Sequence, residues 1–384
     1  MIDIIEKKQC CGCSACYNIC PKQAITMEED EKGFIYPIVD KEKCIDCKLC
    51  EKVCPIINNK KVENEPKAYA CINRNDEIRK ESSSGGIFTL LAEEIIDMKG
   101  IVFGAVFDEN FNVIHKYVEN KEQLRELRGS KYLQSEIKET YKQAKSFLEK
   151  DKYVLFTGTP CQIEGLKSFL QRDYNKLYTQ DIICHGVPSK KVWQKYLDNI
   201  KNIRYGKIKN INFRNKKDSW ENYSMNIEYE NHTYNTNHNN DMYMKAFLQD
   251  LSLRDSCYSC HFKKFNRNSD ITLADFWGIS KIKPNLNDHK GTSLVIINSN
   301  KGKELFEKIK DKCTTEEVEI NEAIKYNKSF INSVEQNKGR DKFFIDLNTD
   351  INLKKVIKKY TTKQPISKKI LNRSKNIIKK ILKK

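Results

Sequence analysis

No stretch of 18 apolar residues occurs in this chain, so no segment is built to cross a bilayer as a helix. Its opening, MIDIIEKK, carries none of the apolar core of a secretory signal, and the expectation is a cytoplasmic protein. Neither G-x-G-x-x-G nor G-x-x-x-x-G-K-S/T is present, which excludes the common glycine loops for dinucleotides and nucleoside triphosphates. Apart from one duplicated cysteine run, no repeat of solenoid length appears. Acidic residues are missing from the last 32 positions, Leu353 to Lys384, where thirteen Lys or Arg stand.

That last absence explains a charge that otherwise suggests nucleic-acid binding. The net charge is +17, and the tail's thirteen cations leave only +4 for the other 352 residues. Aromatic residues are not interleaved with those cations, so a nucleic-acid role is not expected. From Ile366 onward, Ile370, Leu371, Ile377, Ile378, Ile381 and Leu382 fall on one helical stripe with lysines elsewhere. A basic amphipathic helix of this kind reads as a contact for an anionic membrane surface. The competing reading is a solvated end.

Fifteen cysteines in 384 residues are the main positive feature. Disulfide frameworks belong to short secreted chains, and these cysteines cluster instead. The run C-x2-C-x2-C-x3-C-P occurs twice, as Cys10, Cys13, Cys16, Cys20-Pro21 and as Cys44, Cys47, Cys50, Cys54-Pro55. This is the spacing of a bacterial two-cluster ferredoxin, in which the fourth cysteine of each run serves the other cluster. One 4Fe–4S cluster is therefore assigned to Cys10, Cys13, Cys16 and Cys54, the other to Cys44, Cys47, Cys50 and Cys20. Zinc knuckles pair two short C-x2-4-C units and do not end twice in Cys-Pro.

Residues 1–60 form this unit, with AITM and FIYPIV as its two strands, and the polar stretch 58–66 ends it. Residues 66–150 and 151–320 then read as two parts of a mixed α/β core, and 353–384 as the basic amphipathic tail. Strand and helix alternate from Ala68. The spacing predicts helices beginning near Phe88 with the preceding serines as caps, over 135–150, from Thr159 or Pro160 to Leu170, and over 187–200. Strands are expected at 101–107, 153–158, 177–184, 271–277 and 293–299, with an antiparallel group at 207–237. The fold class is thus α+β or α/β: a ferredoxin-like mini-domain, a mixed core and a C-terminal helix.

Within the core, Ser83-Ser84-Gly85-Gly86 precedes a helix, where exposed amides suit a phosphate; an ordinary capped turn is the alternative. Thr157-Gly158-Thr159-Pro160-Cys161 is a strand-to-helix turn whose cysteine reads as metal ligand, redox thiol or core residue. Cys184-His185-Gly186 follows the next strand, and strand ends of an α/β sheet gather where ligands bind. With Cys257 and Cys260 these cysteines make four thiolates, enough for a third cluster or for zinc. Asp275 stands at a further strand end. His115, His232, His238 and His289 are expected to be structural or on the surface, and Cys11, Cys71 and Cys313 to lie outside every ligand set.

The segments SSSGGIFTLLAEEI, LRGSKYLQS, TGTPCQIEGLK, DIICHGVPS, CYSCHFKKFNRNSDITLADFWGI and GTSLVIIN, in this order, resemble the coenzyme F420 hydrogenase/dehydrogenase beta-subunit family, over roughly Cys10 to Lys312. The resemblance implies an iron–sulfur flavoprotein oxidoreductase that binds FAD and reduces coenzyme F420 or another acceptor. It implies a third cluster on Cys161, Cys184, Cys257 and Cys260. On the flavin side it points to Ser84, Gly85 and Gly86, more loosely to Gly129, Ser130 and Lys131, with Thr157, Gly158, Thr159 and Asp275 as further candidates. Similar chains with this build look like accessory enzymes of surface-polysaccharide synthesis at the inner membrane face, so a lipid-linked or nucleotide sugar is the alternative acceptor. A ferredoxin or similar protein is the implied donor. The catalytic residues are not indicated. A non-catalytic electron-transfer component of a larger redox complex and a redox sensor are the competing readings.

Overall fold

In the computed structural model the described residues are 1–361, except 5, 60, 350 and 351. The stripe from Ile370 to Leu382 lies outside them. Thirteen strands are present among the described residues. β1 (Ile25–Glu29) and β2 (Ile35–Val39) form an antiparallel pair within the cysteine-rich unit. β3 (Lys67–Asn73), β4 (Ile101–Phe107), β5 (Val113–Val118), β6 (Val154–Thr157) and β7 (Leu177–Ile182) belong to the main sheet. β8 (Ile208–Asn215), β9 (Ser224–Tyr229) and β10 (Thr233–Asn237) make a separate antiparallel sheet. β11 (Ile271–Asp275), β12 (Ser293–Ile297) and β13 (Cys313–Val318) return to the main one.

The main sheet has eight strands in the order β13-β3-β12-β11-β7-β6-β4-β5. β4, β6, β7 and β11 run parallel, and the outer pairings are antiparallel. This is the mixed α/β architecture expected from the strand–helix rhythm. Strand alternation divides the core between the two faces. Val102, Val106 and Leu155 meet the helices Ile87–Asp97 and Asn300–Glu307. Phe103 and Phe156 meet the helices Thr140–Glu149 and Pro160–Leu170.

Several local expectations shift. The helix expected over 135–150 starts only at Thr140, and the one expected from 187 starts at Lys190, where Ser189 caps it. The serines before Ile87 do not cap that helix: Gly86 holds the position with φ of 83° and no side-chain cap. The hydroxyl of Ser84 donates instead to the carbonyl of Thr292 at 2.9 Å, and that of Ser83 accepts from the Ser130 amide at 2.7 Å. The basic tail begins as part of the body. Residues Leu353–Tyr360 form a helix with Leu353, Val356 and Ile357 buried in the same core as Trp193, Phe213 and Tyr243.

The cysteine-rich unit is packed into the α/β core. Cys11, Cys13, Ala15 and Val53 share a hydrophobic cluster with Phe103, Tyr141, Phe156 and Leu166. Asn18 donates to the Lys138 carbonyl at 2.8 Å, and Lys190 pairs with Glu29 at 2.6 Å. Gly165, on the helix Pro160–Leu170, permits a close approach: a β-carbon there would lie 2.8 Å from Cys13 Cβ and 2.9 Å from the Tyr141 oxygen. Gly165→Val should therefore cost about 1–3 kcal/mol by overpacking. It should also speed limited proteolysis between residues 58 and 66, because it pries the two layers apart there.

Candidate iron–sulfur and flavin site

The two C-x2-C-x2-C loops have the same backbone. Gly12 and Asp46, just before the second cysteine of each, have φ of 69° and 47°. Ser14 and Lys48, just after it, have φ of 63° and 59° and start the short helices Ala15–Ile19 and Leu49–Lys52. Four left-handed residues, three of them not glycine, are an unfavourable local choice unless a ligand or packing demands it. The effect is to turn the cysteine side chains of each loop toward one centre.

Two cavities result, and they divide the cysteines crosswise. One is lined by Cys20, Cys44, Cys47 and Cys50, the other by Cys10, Cys13, Cys16 and Cys54. Backbone amides already point at the sulfurs: Ile2 N lies 3.2 Å from Cys50 Sγ, Ala24 N 3.3 Å from Cys20 Sγ and Gly12 N 3.4 Å from Cys10 Sγ. Amide donors of this kind are one of the levers on the potential of an iron–sulfur centre. Cys47 is exposed, whereas Cys13 and Cys16 are buried, so the first set faces solvent and the second faces the core.

A third cavity is lined by Cys161, Cys184, Cys257 and Cys260. Cys161 comes from the first turn of the helix Pro160–Leu170, where Thr159 is the cap and its amide donates to Gln162 Oε1 at 2.9 Å. Cys184 follows β7. Cys257 lies in the single turn Asp255–Ser259, with Cys260 just after it. Val187 N lies 3.4 Å from Cys257 Sγ. Burial pushes Cys257 up to about 12, and burial plus the neighbouring Cys257 raise Cys184 well above the usual thiol range. Buried thiols that repel one another as thiolates require a cationic guest to ionise.

Cys11, expected outside every ligand set, has a definite place. It lines both the second and the third cavity, and its thiol is in hydrogen-bonding reach of Cys13 and Cys161. Among the described residues, no three Cys, His, Asp or Glu side chains converge tightly enough for a single metal ion. Zinc would need its sulfurs at about 2.3 Å from one point. Four thiolates suit either a cubane or zinc. Cys71 and Cys313 are buried together at the far edge of the main sheet and belong to none of the three sets.

The flavin-side candidates meet at the C-terminal ends of the parallel strands. The Ser83–Ser130 hydrogen bond joins the 83–86 turn to Gly129, Ser130 and Lys131. Around Gly129, at φ of 84°, a β-carbon would meet nothing within 4 Å. Lys131 Nζ donates to the Arg128 carbonyl at 3.2 Å, and burial lowers it to about 8. Gly85 is fixed by packing, its amide donating to Ser293 Oγ at 2.9 Å. Thr157 Oγ1 bonds the Phe103 carbonyl at 2.9 Å, and His115 links the Thr157 carbonyl (2.9 Å) to Ser135 Oγ (2.6 Å). That histidine is structural; burial takes it down to about 4. Asp275 is engaged by Arg214 at 2.9 Å and by the Trp220 indole at 3.1 Å.

Arg214 and Lys216 are functional candidates that motif reading passes over. Both arise from β8 and the turn after it, two positions apart, which puts them on one face of an extended segment. Arg214 stacks 4.0 Å over the Tyr223 ring, and its Nε and Nη2 are buried without partners. Lys216 donates to the carbonyls of Arg79 (2.6 Å) and Ser84 (2.9 Å), and burial, reinforced by Arg79, lowers it to about 7. The alternation of INFRNKK was the available signal.

Three family models match, and two of them describe the coenzyme F420 hydrogenase/dehydrogenase beta subunit: its N-terminal part over residues 68–142 and its C-terminal part over residues 151–323. The chain belongs to the coenzyme F420 hydrogenase/dehydrogenase beta-subunit family. In this family member, residues 9–57 also match a 4Fe-4S dicluster domain, so the N-terminal unit is an iron–sulfur module. Among solved structures, a chain from the xenon-derivatised F420-reducing NiFe hydrogenase complex of Methanosarcina barkeri is similar over 78% of this beta-subunit-like chain and 91% of its own. The identity is 18% and the TM-score 0.46. No curated protein matches. Among the described residues no helix is long and apolar enough to cross a membrane.

Proposed function

We propose that this chain is an iron–sulfur flavoprotein oxidoreductase. It takes electrons from a donor protein such as ferredoxin at the solvent-facing Cys20/Cys44/Cys47/Cys50 set and passes them inward. The observation that carries this reading is the succession of cavities. Cys11 lines both inner cavities, and Thr159, whose hydroxyl lies 3.1 Å from Cys161 Sγ, belongs to the turn that also presents Thr157 and Gly158. The cysteine sets thus lead to the strand-end floor where a flavin would lie.

The residues there fit FAD. The helix Ile87–Asp97 begins without a side-chain cap, and a helix N-terminus favours phosphate. Lys131 stands beside the open space at Gly129 as the nearby cation. FAD, when bound, supplies the exchange between single electrons and two-electron hydride chemistry. The chain's own residues position it: the Ser83–Ser130 bond fixes the two loops together, and the Arg214–Asp275 pair holds the floor opposite. Arg214, whose Nε and Nη2 are without partners, favours an anionic acceptor, either coenzyme F420 or a lipid-linked or nucleotide sugar of surface-polysaccharide synthesis. The stripe from Ile370 to Leu382 would hold the protein at an anionic inner membrane face.

Purification without oxygen, with iron and flavin measured per chain, tests this. About twelve irons, four per cubane, and one flavin are expected, with dithionite-driven reduction of one of the two acceptor classes. About eight irons and no flavin would defeat the enzyme reading and leave an electron relay. Truncation after Thr361 keeps the packed helix Leu353–Tyr360 and should abolish binding to vesicles of anionic lipid.

A further inference from the structure

We propose that Arg254 is the counter-charge of the two inner cysteine sets and raises their reduction potentials, so that electrons are drawn from the solvent-facing set toward the core. This rests on the reading of those sets as iron–sulfur sites. Arg254 is completely buried, three residues before Cys257. A guanidinium keeps its charge at any ordinary pH, and a buried charge must be compensated.

Its partners in hydrogen bonds are all neutral. Nε donates to the Cys10 carbonyl at 2.9 Å, Nη1 to Gln134 Oε1 at 3.0 Å and Nη2 to the Ile35 carbonyl at 2.9 Å. The guanidinium lies 4.2 Å from the centre of the Tyr36 ring. Among the described residues no carboxylate forms an ion pair with it; the adjacent Asp255 is taken by Arg340 at 2.7 Å. Gln134, which holds Nη1, lines the third cavity and donates to the Cys11 carbonyl at 3.2 Å, while Cys10 and Cys11 line the second. Arg254 therefore stands beside the linings of both inner cavities, and a loaded site would supply the thiolate charge that compensates it.

An electron arriving at either inner site adds one negative charge beside this fixed positive one. In a medium of low dielectric that attraction is strong, and net charge is a principal determinant of cluster potential. The lysines bordering the solvent-facing cavity, Lys22 and Lys48, are exposed and screened. The step concerned is transfer of one electron, oxidising the outer site and reducing the inner, with no bond broken and no proton moved. Arg254 contributes to its driving force at both inner sites; at the third, Lys263, which lines the cavity and donates to the His185 carbonyl at 3.0 Å, adds a second cation.

The test is a dithionite titration of the oxygen-free holoprotein, followed by electron paramagnetic resonance, with iron counted in each sample. Arg254→Gln should retain its iron yet make the inner sites harder to reduce by about tenfold in equilibrium constant, about 59 mV for one electron. The solvent-facing site should not move, and Arg254→Lys should recover most of the shift. A loaded Arg254→Gln with unchanged inner potentials would overturn the proposal. Should that variant fail to load, Gln134→Glu decides, since it places a carboxylate against the intact Arg254. A lower inner potential supports the proposal, and an unchanged one refutes it. If wild type holds only eight irons, the reading of the third site fails separately, and the same two outcomes are read on the Cys10 set alone.

Discussion

Replacing Cys257 and Cys260 together by alanine should remove about four irons of an expected twelve and stop acceptor reduction, while the two N-terminal clusters stay reducible by dithionite. The expected loss in turnover is at least about 100-fold, because Cys161 and Cys184 alone supply only two of the four thiolates that a cubane at this site would need. Iron analysis and the spectrum of the reduced protein check the first part, and turnover with excess dithionite the second. A matched pair of controls follows from the crosswise cavities. Cys54→Ala should unload the Cys10 site and Cys20→Ala the Cys44 site, each without its own loop being touched. Loss of the loop-matched cluster in either control would contradict the crossed assignment.

Arg267→Met is expected to be the most damaging single change to stability. Arg267 and Asp181 form an ion pair at 3.0 Å with both side chains 2% exposed, and Arg267 also donates to the carbonyls of Ile182 and Phe330. Removing one member strands the other as a buried charge, at a cost of about 3–5 kcal/mol, a large share of the roughly 5–15 kcal/mol that holds a typical domain. Burial already raises Asp181 above its ordinary value with the pair intact. Without Arg267 that upward shift grows, so the folded state binds the proton more readily than the unfolded one. The sign follows: stability of the variant falls as pH rises through the shifted value, and the deficit at pH 7 should shrink toward pH 5. Urea midpoints at the two pH values measure it. Since Arg267 also anchors the end of β7, which presents Cys184, the variant should load the third site poorly.

C-x2-C-x2-C is a spacing with a strong geometric preference, which is why two of the cysteine sets could be proposed from sequence; each of the three proposed sets lines one cavity. The strands of the main sheet were readable for a similar reason: runs such as IVFGAVF in β4 and SLVIINS in the antiparallel β12 are buried on both faces. What stayed hidden depends on single residues with no periodicity. Gly165 is one glycine in a helix, yet it is one of the points where the ferredoxin-like unit meets the core with no room for a side chain. Arg254 reads as an ordinary charged residue in LSLRDSC, and only the fold reveals that its partners are 120 to 244 residues away. The serines before Ile87 misled for the opposite reason. Their cap preference is real, but bonds to Thr292 and Ser130 outcompete it. Charge counting likewise grouped Leu353–Tyr360 with the tail, although its apolar face completes a core.

The solvent-facing position of Cys47 has a further consequence for how the protein ages. An oxidant diffusing in from solution meets that corner before any other sulfur of the three sets, while Cys13 and Cys16 are shielded by packed side chains. Damage should therefore run from the outside inward, like corrosion along a wire stripped at one end. Partly aged material would no longer accept electrons from a protein donor at that terminal. A small, penetrating reductant would still reach the interior, and the two activities would part company on the bench.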